Sequence, residues 1–343
     1  MNSKNILITG GAGFIGSHVV NHFTENYPKY TIVVIDSLTY ASNIDNIAKK
    51  NKNGISWNDN IKFIKDDIRD VKAIDYIFQN NEITDVIHLA AESHVDNSIE
   101  NPNIFVETNV MGTVNLLNAA KKYWKLGKKS RNRFYHVSTD EVYGALGLND
   151  KPFTEKTSYD PHSPYSASKA SSDHFVRSYH DTYGLQTVIS NCSNNYGPHQ
   201  HTEKLIPKVI SNLRDGKLIP VYGKGENIRD WLYVGDHVNA IDNIFHYGTP
   251  GETYNIGGDM ELTNLELIHM ICDVYMSNGY EKDKKLNSGL DIFNKSVEYV
   301  KDRAGHDLRY AINCEKLKNQ LEWSPTTSFV RGITKTIKYY MEK

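Results

Sequence analysis

The glycine-rich turn at residues 9–16 constrains this chain more than any other segment. Ile6-Leu7-Ile8 reads as a buried strand, Thr9-Gly10-Gly11-Ala12-Gly13-Phe14-Ile15-Gly16 follows it, and a helical pattern runs over 15–26. Gly11, Gly13 and Gly16 satisfy G-x-G-x-x-G, while Gly10, Gly13 and Gly16 satisfy G-x-x-G-x-x-G. Such a turn lets backbone approach a pyrophosphate seated on the helix N-terminus. Asp36 stands 20 residues beyond Gly16, at the end of the next β-branched run. A carboxylate there accepts hydrogen bonds from the adenosine ribose and repels a 2′-phosphate, which favours NAD over NADP. A lone glycine match is weak; strand, turn, helix and acid in this order specify a dinucleotide-binding unit.

The rest of the first half repeats the alternation. Strands are expected at 61–65, 85–90, 133–138 and 185–191, with helices at 71–80, 106–125 and from Ser163 to about Tyr183. This is the pattern of βαβ units and a parallel sheet. Beyond Asn194, Gly197-Pro198, Pro207, Gly216, Pro220, Gly223 and Gly225 break the chain into short elements. The expected fold is therefore α/β: a Rossmann-type doubly wound parallel sheet with a smaller C-terminal α/β lobe for the substrate. Residues 1–193 and about 233–260 are assigned to the Rossmann domain, and about 194–232 and 261–343 to the lobe. The Asn- and Lys-rich stretch 48–60 is expected to be a surface loop.

Composition excludes several classes. A net charge of −2 offers no overall attraction to nucleic acid or anionic lipid. No apolar run approaches the roughly 20 residues of a membrane helix. Met1-Asn2-Ser3-Lys4-Asn5 leads directly into a strand and does not resemble a signal peptide. Cys192, Cys272 and Cys314 lack metal-ligand spacing, so they read as reduced thiols of a cytoplasmic protein, with no metal. The cations of 121–133 read as a helix end and loop, with Gly127 and Ser130 marking the turn, in preference to a binding patch.

Two short motifs carry chemistry. Tyr165 and Lys169 share one helix face at i and i+4. A neighbouring ammonium is expected to draw the phenol down from its usual value near ~10, so that Tyr165 can take a proton from a sugar hydroxyl. Lys169 can also hold the nicotinamide ribose. Thr139, Asp140 and Glu141 directly follow an apolar strand, at the end where such sheets bind ligands. Thr139 can hydrogen-bond the same hydroxyl. Once a 4-keto sugar exists, Glu141 can remove the acidified C5 hydrogen and Asp140 can protonate the departing C6 hydroxyl. Adjacent carboxyls resist double ionisation, which separates acid from base. An enzyme that only oxidises an alcohol has no use for this second pair.

With those residues in view, the chain resembles the extended short-chain dehydrogenases/reductases, specifically the nucleoside-diphosphate-glucose 4,6-dehydratases of the dTDP-glucose type. TGGAGFIGSHVV, DSLTYASN, HLAAESHVDNSI, STDEVYG, PYSASKASSDH, CSNNYGPHQHTEKLIP, GKGENIRDWLYV, ETYNIGG and DRAGHDLRYAI resemble the family's segments in order. The resemblance implies a retained NAD, reduced and reoxidised within each cycle, and a 4-keto-6-deoxy sugar nucleotide as product. It implies cofactor contacts from Gly10, Gly13, Phe14, Ile15, Gly16, Asp36, Ser37, Leu38, Thr39, Asp67, Ile68, Leu89, Ala90, Ala91, Ser93, Thr108, Tyr165, Lys169 and Asn195. The sugar nucleotide would meet Ser93, Thr139, Asn194, Glu203, Lys204, Leu205, Pro220, Tyr222, Arg229, Asn264, Arg303 and His306. For its diphosphate, Arg229 offers a bidentate fork and Lys204 a point charge. A homodimer through the Tyr165 helix and the helix before it is also implied. Two positions depart from the pattern: Gly235 replaces a common acidic residue, and Ala304 replaces a usual proline.

Alternatives stay open at this point. The same dehydration on UDP-glucose differs by one methyl on the base, worth only about 1–3 kcal/mol. A 4-epimerase shares the glycine turn and Tyr/Lys pair but not the Asp-Glu pair. A silent NAD-binding regulator should have lost some of these residues, and all are present.

Overall fold

The computed structural model describes residues 3–343 except 48, 52, 53, 57, 129 and 303–306, with the backbone alone at 49–51 and 54–56. The first βαβ unit is β1 (Asn5–Thr9), α1 (Phe14–Asn26) and β2 (Thr31–Asp36). A hairpin of β3 (Lys49–Asn51) and β4 (Gly54–Ser56) follows, paired antiparallel, where a plain loop was expected. Next come β5 (Ile61–Lys65), α2 (Val71–Asn81) and β6 (Asp85–His88). Short α3 (Val95–Glu100) and α4 (Pro102–Phe105) lead through a π-helical stretch, Val106–Met111, into α5 (Gly112–Tyr123). Then follow β7 (Arg133–Thr139), α6 (Pro164–Tyr183) and β8 (Thr187–Cys192).

After β8 the elements shorten, as the turn residues predicted. They are β9 (Asn194–Tyr196), α7 (Leu205–Asp215), β10 (Ile219–Tyr222), β11 (Ile228–Tyr233), α8 (Val234–Tyr247), β12 (Thr253–Ile256) and β13 (Glu261–Thr263). The chain ends with α9 (Asn264–Ser277), α10 (Gly289–Ser296), β14 (Val297–Val300), α11 (Glu315–Leu321) and α12 (Phe329–Met341).

Seven strands form one parallel sheet in the order β12-β8-β7-β6-β1-β2-β5. Its centre is apolar on both faces: Ile6, Leu7, Ile8 and residues 32–35 are fully buried. Continuous β-branched runs of this kind need helices above and below. One face packs α1 and α8, with Phe23, Val238 and Ile241 in the cluster. The other packs α2, α5 and α6 through Ile77, Leu116 and Val176. The chain moves outward from β1 to β5, then restarts at β6 on the other side of β1. That reversal leaves a crevice at the carboxyl ends of the strands, where α/β sheets bind ligands.

A third cluster joins α7, α9 and α12 through Val209, Ile271 and Ile337 and forms the core of the smaller lobe. The C-terminal segment does not stay there. Leu317 and Trp323 pack into the sheet's first cluster, and residues 309–312 bridge to Leu146 and Phe153. A seven-residue helix gives too short a pattern to reveal that return.

No described helix is long and apolar enough to cross a membrane. Three of the described cations of 121–133 are engaged in the fold: Lys122 pairs with Asp75 at 2.6 Å, Lys121 lies over Tyr183, and Arg133 donates to the carbonyls of Ile244 and Phe245.

Candidate active site

A cleft opens where the strand order reverses. The turn after β1, the end of β2, the segment after β6, the end of β7 and the end of β8 all contribute lining residues.

The glycine turn forms its floor. Gly10 has φ +67°, and a Cβ there would lie 2.8 Å from the Ala90 backbone. A Cβ on Gly16 would meet the Gly10 carbonyl oxygen at 2.1 Å. Only glycine permits these approaches. Gly13 caps α1 without a side-chain hydrogen bond, so the first-turn N–H groups are available to an anion. Asp36 ties the turn together. Its Oδ2 accepts from Ala12 N at 3.0 Å and its Oδ1 from Leu38 N at 2.8 Å. Thr9 Oγ1 accepts from Leu89 N and Ala90 N, which locks β1 to the segment after β6. Uncapped helix N–H groups, backbone without side chains and a carboxylate at the tip of β2 fit the pyrophosphate and adenosine ribose of NAD. Phe14, Ile15, Ser37, Thr39, Asp67, Ile68, Ala91, Ser93, Thr108 and Asn195 line the same cleft; Leu38 does not, and takes part through its N–H.

The opposite wall carries the acids. β7 ends at Thr139, whose side chain accepts from Glu141 N at 3.3 Å and so starts the tight turn Asp140–Tyr143. Asp140 is 2% exposed. Its Oδ1 lies 3.4 Å from Thr139 Oγ1, while its Oδ2 has no hydrogen-bond partner among the described residues. Burial, then the charges of Glu141 and Asp230, push its carboxyl well above the ordinary range, against the opposing Arg229. These surroundings favour the protonated form of Asp140.

Tyr165 and Lys169 reach the cleft from α6, which Ser163 caps through a reciprocal box with Ser166 and Gly184 ends in the left-handed conformation. Lys169 donates to the Val137 carbonyl at 2.9 Å. Tyr165 is not drawn down as the spacing suggested. Burial, followed by Glu141 and Cys192, pushes its phenol well up, and Thr139 is the neighbour that favours the phenolate. Desolvation of a buried phenolate outweighs an ammonium anchored on a strand carbonyl. The pair is adjacent, but Tyr165 rests as a neutral phenol.

Of the expected substrate residues, Ser93, Thr139, Asn194, Glu203 and Lys204 line the cleft. Lys204 Nζ donates to the Ser93 carbonyl at 3.1 Å, and Glu203 lies 3.4 Å from both His201 Nδ1 and the Tyr40 hydroxyl. Leu205, Pro220, Tyr222, Arg229 and Asn264 lie outside this lining, at the start of α7, in β10, in β11 and at the start of α9. Arg229 stacks on Tyr310 and donates to the Asp307 carbonyl at 3.0 Å. Arg303 and His306 fall outside the described residues. The sequence reading missed Ser193, Gln200 and His201, which line the cleft, and the buried Asp230 beside Asp140. The first three lie within the segment CSNNYGPHQHTEKLIP that the resemblance rests on, so membership of that segment was the available signal. Among the described residues no group of three or more His, Cys, Asp or Glu could hold a metal.

The GDP-mannose 4,6 dehydratase family matches residues 7–336. The dTDP-glucose 4,6-dehydratase of Escherichia coli is 49% identical over 98% of this chain and 93% of its own length. Among solved structures, the dTDP-glucose 4,6-dehydratase of Bacillus anthracis in complex with NAD superposes with a TM-score of 0.84 at 41% identity, covering 99% of this chain and 97% of that one. The Streptomyces venezuelae enzyme with NAD and TYD bound gives 0.86 at 41% identity, over 98% and 97%. Near full-length identity of this order, carried on a cleft that joins the glycine turn to the Tyr/Lys and Asp/Glu pairs, places the chain in the dTDP-glucose 4,6-dehydratase family.

Proposed function

We propose that this protein is an NAD-dependent hydro-lyase that converts dTDP-glucose to dTDP-4-keto-6-deoxyglucose. The observation that carries the reading is Asp140: a buried acid whose surroundings favour its protonated form and whose free oxygen lies in the same cleft as Tyr165 and Lys169. A plain dehydrogenase or an epimerase needs no such acid.

Gly10, Gly13, Gly16 and Asp36 would hold NAD, which would supply the hydride acceptor for C4 and the hydride donor for C6. Thr139 and Tyr165 bind the C4 hydroxyl; Tyr165 loses its phenolic proton to solvent when the cleft is loaded, and the phenolate, favoured by Thr139, accepts the C4 hydroxyl proton as the ketone forms. Glu141 removes the C5 proton that the ketone has acidified. Asp140 gives its proton to the C6 hydroxyl, which leaves as water. Glu141 returns its proton to C5 when C6 is reduced, and the proton that Tyr165 took from the C4 hydroxyl replaces the one that Asp140 lost to the departing water, which resets both groups. General acid–base steps of this kind contribute roughly 10²–10⁴-fold each. Lys204 and Arg229 serve the diphosphate, and Ser93, Asn194 and Glu203 the sugar. The hydrophobic clusters support a cofactor domain of 1–193 with about 233–260 and a lobe from the remainder, apart from the return at 315–323.

The protein acts in the cytoplasm as a homodimer. Val106, Met111 and Phe175 are 51%, 52% and 41% exposed on the π-helical segment, its end and α6, an apolar face suited to a second copy. A monomeric mass in solution would remove the dimer.

Purified protein incubated with dTDP-glucose and with UDP-glucose, without added NAD, tests the reaction. The expected result is 4-keto product, with dTDP-glucose preferred. A preference for UDP-glucose would reassign the base. No product from either sugar, even with NAD supplied, would overturn the reading in favour of a silent binder.

A further inference from the structure

Behind the redox pair lies a buried polar chain that these steps do not use. Asp173 follows Lys169 by one turn of α6, and both it and His136 on β7 are fully buried. Asp173 Oδ2 accepts from Ser138 Oγ at 3.0 Å and from the Tyr159 hydroxyl at 2.8 Å, and its Oδ1 lies 3.1 Å from His136 Nε2. The Tyr159 hydroxyl accepts in turn from Arg177 at 2.7 Å and from Asn191 Nδ2 at 3.0 Å.

An ammonium as dry as Lys169, 4% exposed, needs an opposite charge to stay protonated. Burial pulls Lys169 down, and Asp173 is the foremost group holding it up, ahead of Cys192. The surrounding titratable groups leave Asp173 as the one able to supply that charge. On β8, burial pushes the Cys192 thiol up to about 12, so it is neutral. On β7, burial and Lys169 bring His136 down to about 4, and on β6, burial and His136 hold His88 well below its ordinary value. Tyr143, Tyr159 and Tyr165 are all pushed up by burial and carry no charge. Burial also works against Asp173, but contact with His136 and the cations Lys169 and Arg177 outweigh it and leave its carboxyl below the usual range.

We propose that Asp173 is a positioning residue for the reaction, a buried counter-charge held by Ser138 and Tyr159 that keeps the Lys169 ammonium on the Val137 carbonyl. The inference rests on the dehydratase reading above. It differs from that reading in placing part of the redox machinery on a residue that touches neither sugar nor cofactor.

The test is the pH profile of kcat and KM for Asp173→Asn with dTDP-glucose, wild type in parallel. Losing the counter-charge lets Lys169 deprotonate at lower pH, so the alkaline limb of kcat moves to lower pH. At the alkaline end kcat falls about tenfold while KM changes less than about twofold. Asp140 also loses its proton at high pH, but Asp173 is not among the foremost groups acting on it, so a moved limb reports Lys169. Asp173→Glu, which restores the charge, returns the limb toward its original position. A uniform fall in kcat with the limb in place would make Asp173 a packing residue and overturn the proposal, as would an unchanged profile. Should Asp173→Asn not fold, Asp173→Ser removes the same charge and leaves room for a bridging water; failure of both to fold assigns Asp173 to the fold instead. No product from the wild type sinks the dehydratase reading, a different failure from any of these.

Discussion

Asp36 and Asp140 stand at the same edge of the same sheet, one ending β2 and the other following β7, and the protein treats them in opposite ways. Each is nearly inaccessible to water. Asp36 has both oxygens occupied by backbone N–H groups from the turn and from Leu38. Asp140 has one oxygen at a long 3.4 Å from a hydroxyl, the other without a partner among the described residues, and two further carboxylates acting on it. The first arrangement uses an acceptor to organise the chain that holds the cofactor. The second keeps a proton on an acid until something in the cleft takes it. What separates a binding carboxyl from a reacting one here is the number of donors supplied to it, since burial is common to both.

The sharpest way to break this comparison is to replace each acid by its amide. At Asp140 the amide copies the shape of the neutral acid but has no proton to give. Asp140→Asn should lower turnover by roughly 10²–10³-fold and leave cofactor retention intact, read by 4-keto product and by NAD released on denaturation. Glu141→Gln should lower turnover comparably by removing the base. Full turnover in both variants would show the roles to be wrong. At Asp36 the effect should invert. An amide keeps one acceptor and turns a donor toward a backbone N–H, leaving that group unpaired at a cost of about 1–3 kcal/mol. Asp36→Asn should therefore co-purify with less NAD, while added NAD restores most of kcat.

These two acids also mark how far the chain could be read without its structure. Asp36 was legible because everything that defines it is local: a strand, a glycine turn, a helix and a fixed spacing. The parallel sheet was legible for the same reason, since runs such as Ile6-Leu7-Ile8 suit only a strand covered on both faces. The neighbourhood of Asp140 was legible, but the raised value of its carboxyl comes first from burial, a tertiary fact, then from Glu141, and then from Asp230, which arrives from β11 about ninety residues later. Asp173 gave no signal, because a polar residue at i+4 on a helix rich in Ser and His reads as a solvated face. Its burial comes from His136, Ser138 and Tyr159 closing over it. Tyr165 and Lys169 show the same limit. Their spacing told that they are neighbours, whereas the Val137 carbonyl that holds the ammonium and the burial that raises the phenol are tertiary facts.

The smallest expected effect sharpens the comparison most. A carboxyl whose value is raised on folding binds its proton more tightly in the native state than in the unfolded chain. Between the ordinary carboxyl value near ~4 and that raised value, the native state holds the extra proton, so stability falls as pH rises. Asp140 therefore works against the fold at neutral pH, and its strain is relieved only in acid. Asp140→Asn removes that liability while keeping the side chain's shape. It should be more stable than the wild type at pH 7–8, by on the order of 1 kcal/mol, and the advantage should vanish as pH falls toward 4. Thermal unfolding of holoprotein at both pH values measures it. An advantage that persists unchanged at pH 4 would mean the amide stabilises through a new hydrogen bond, and Asp140 would no longer be an acid held neutral at a cost in stability.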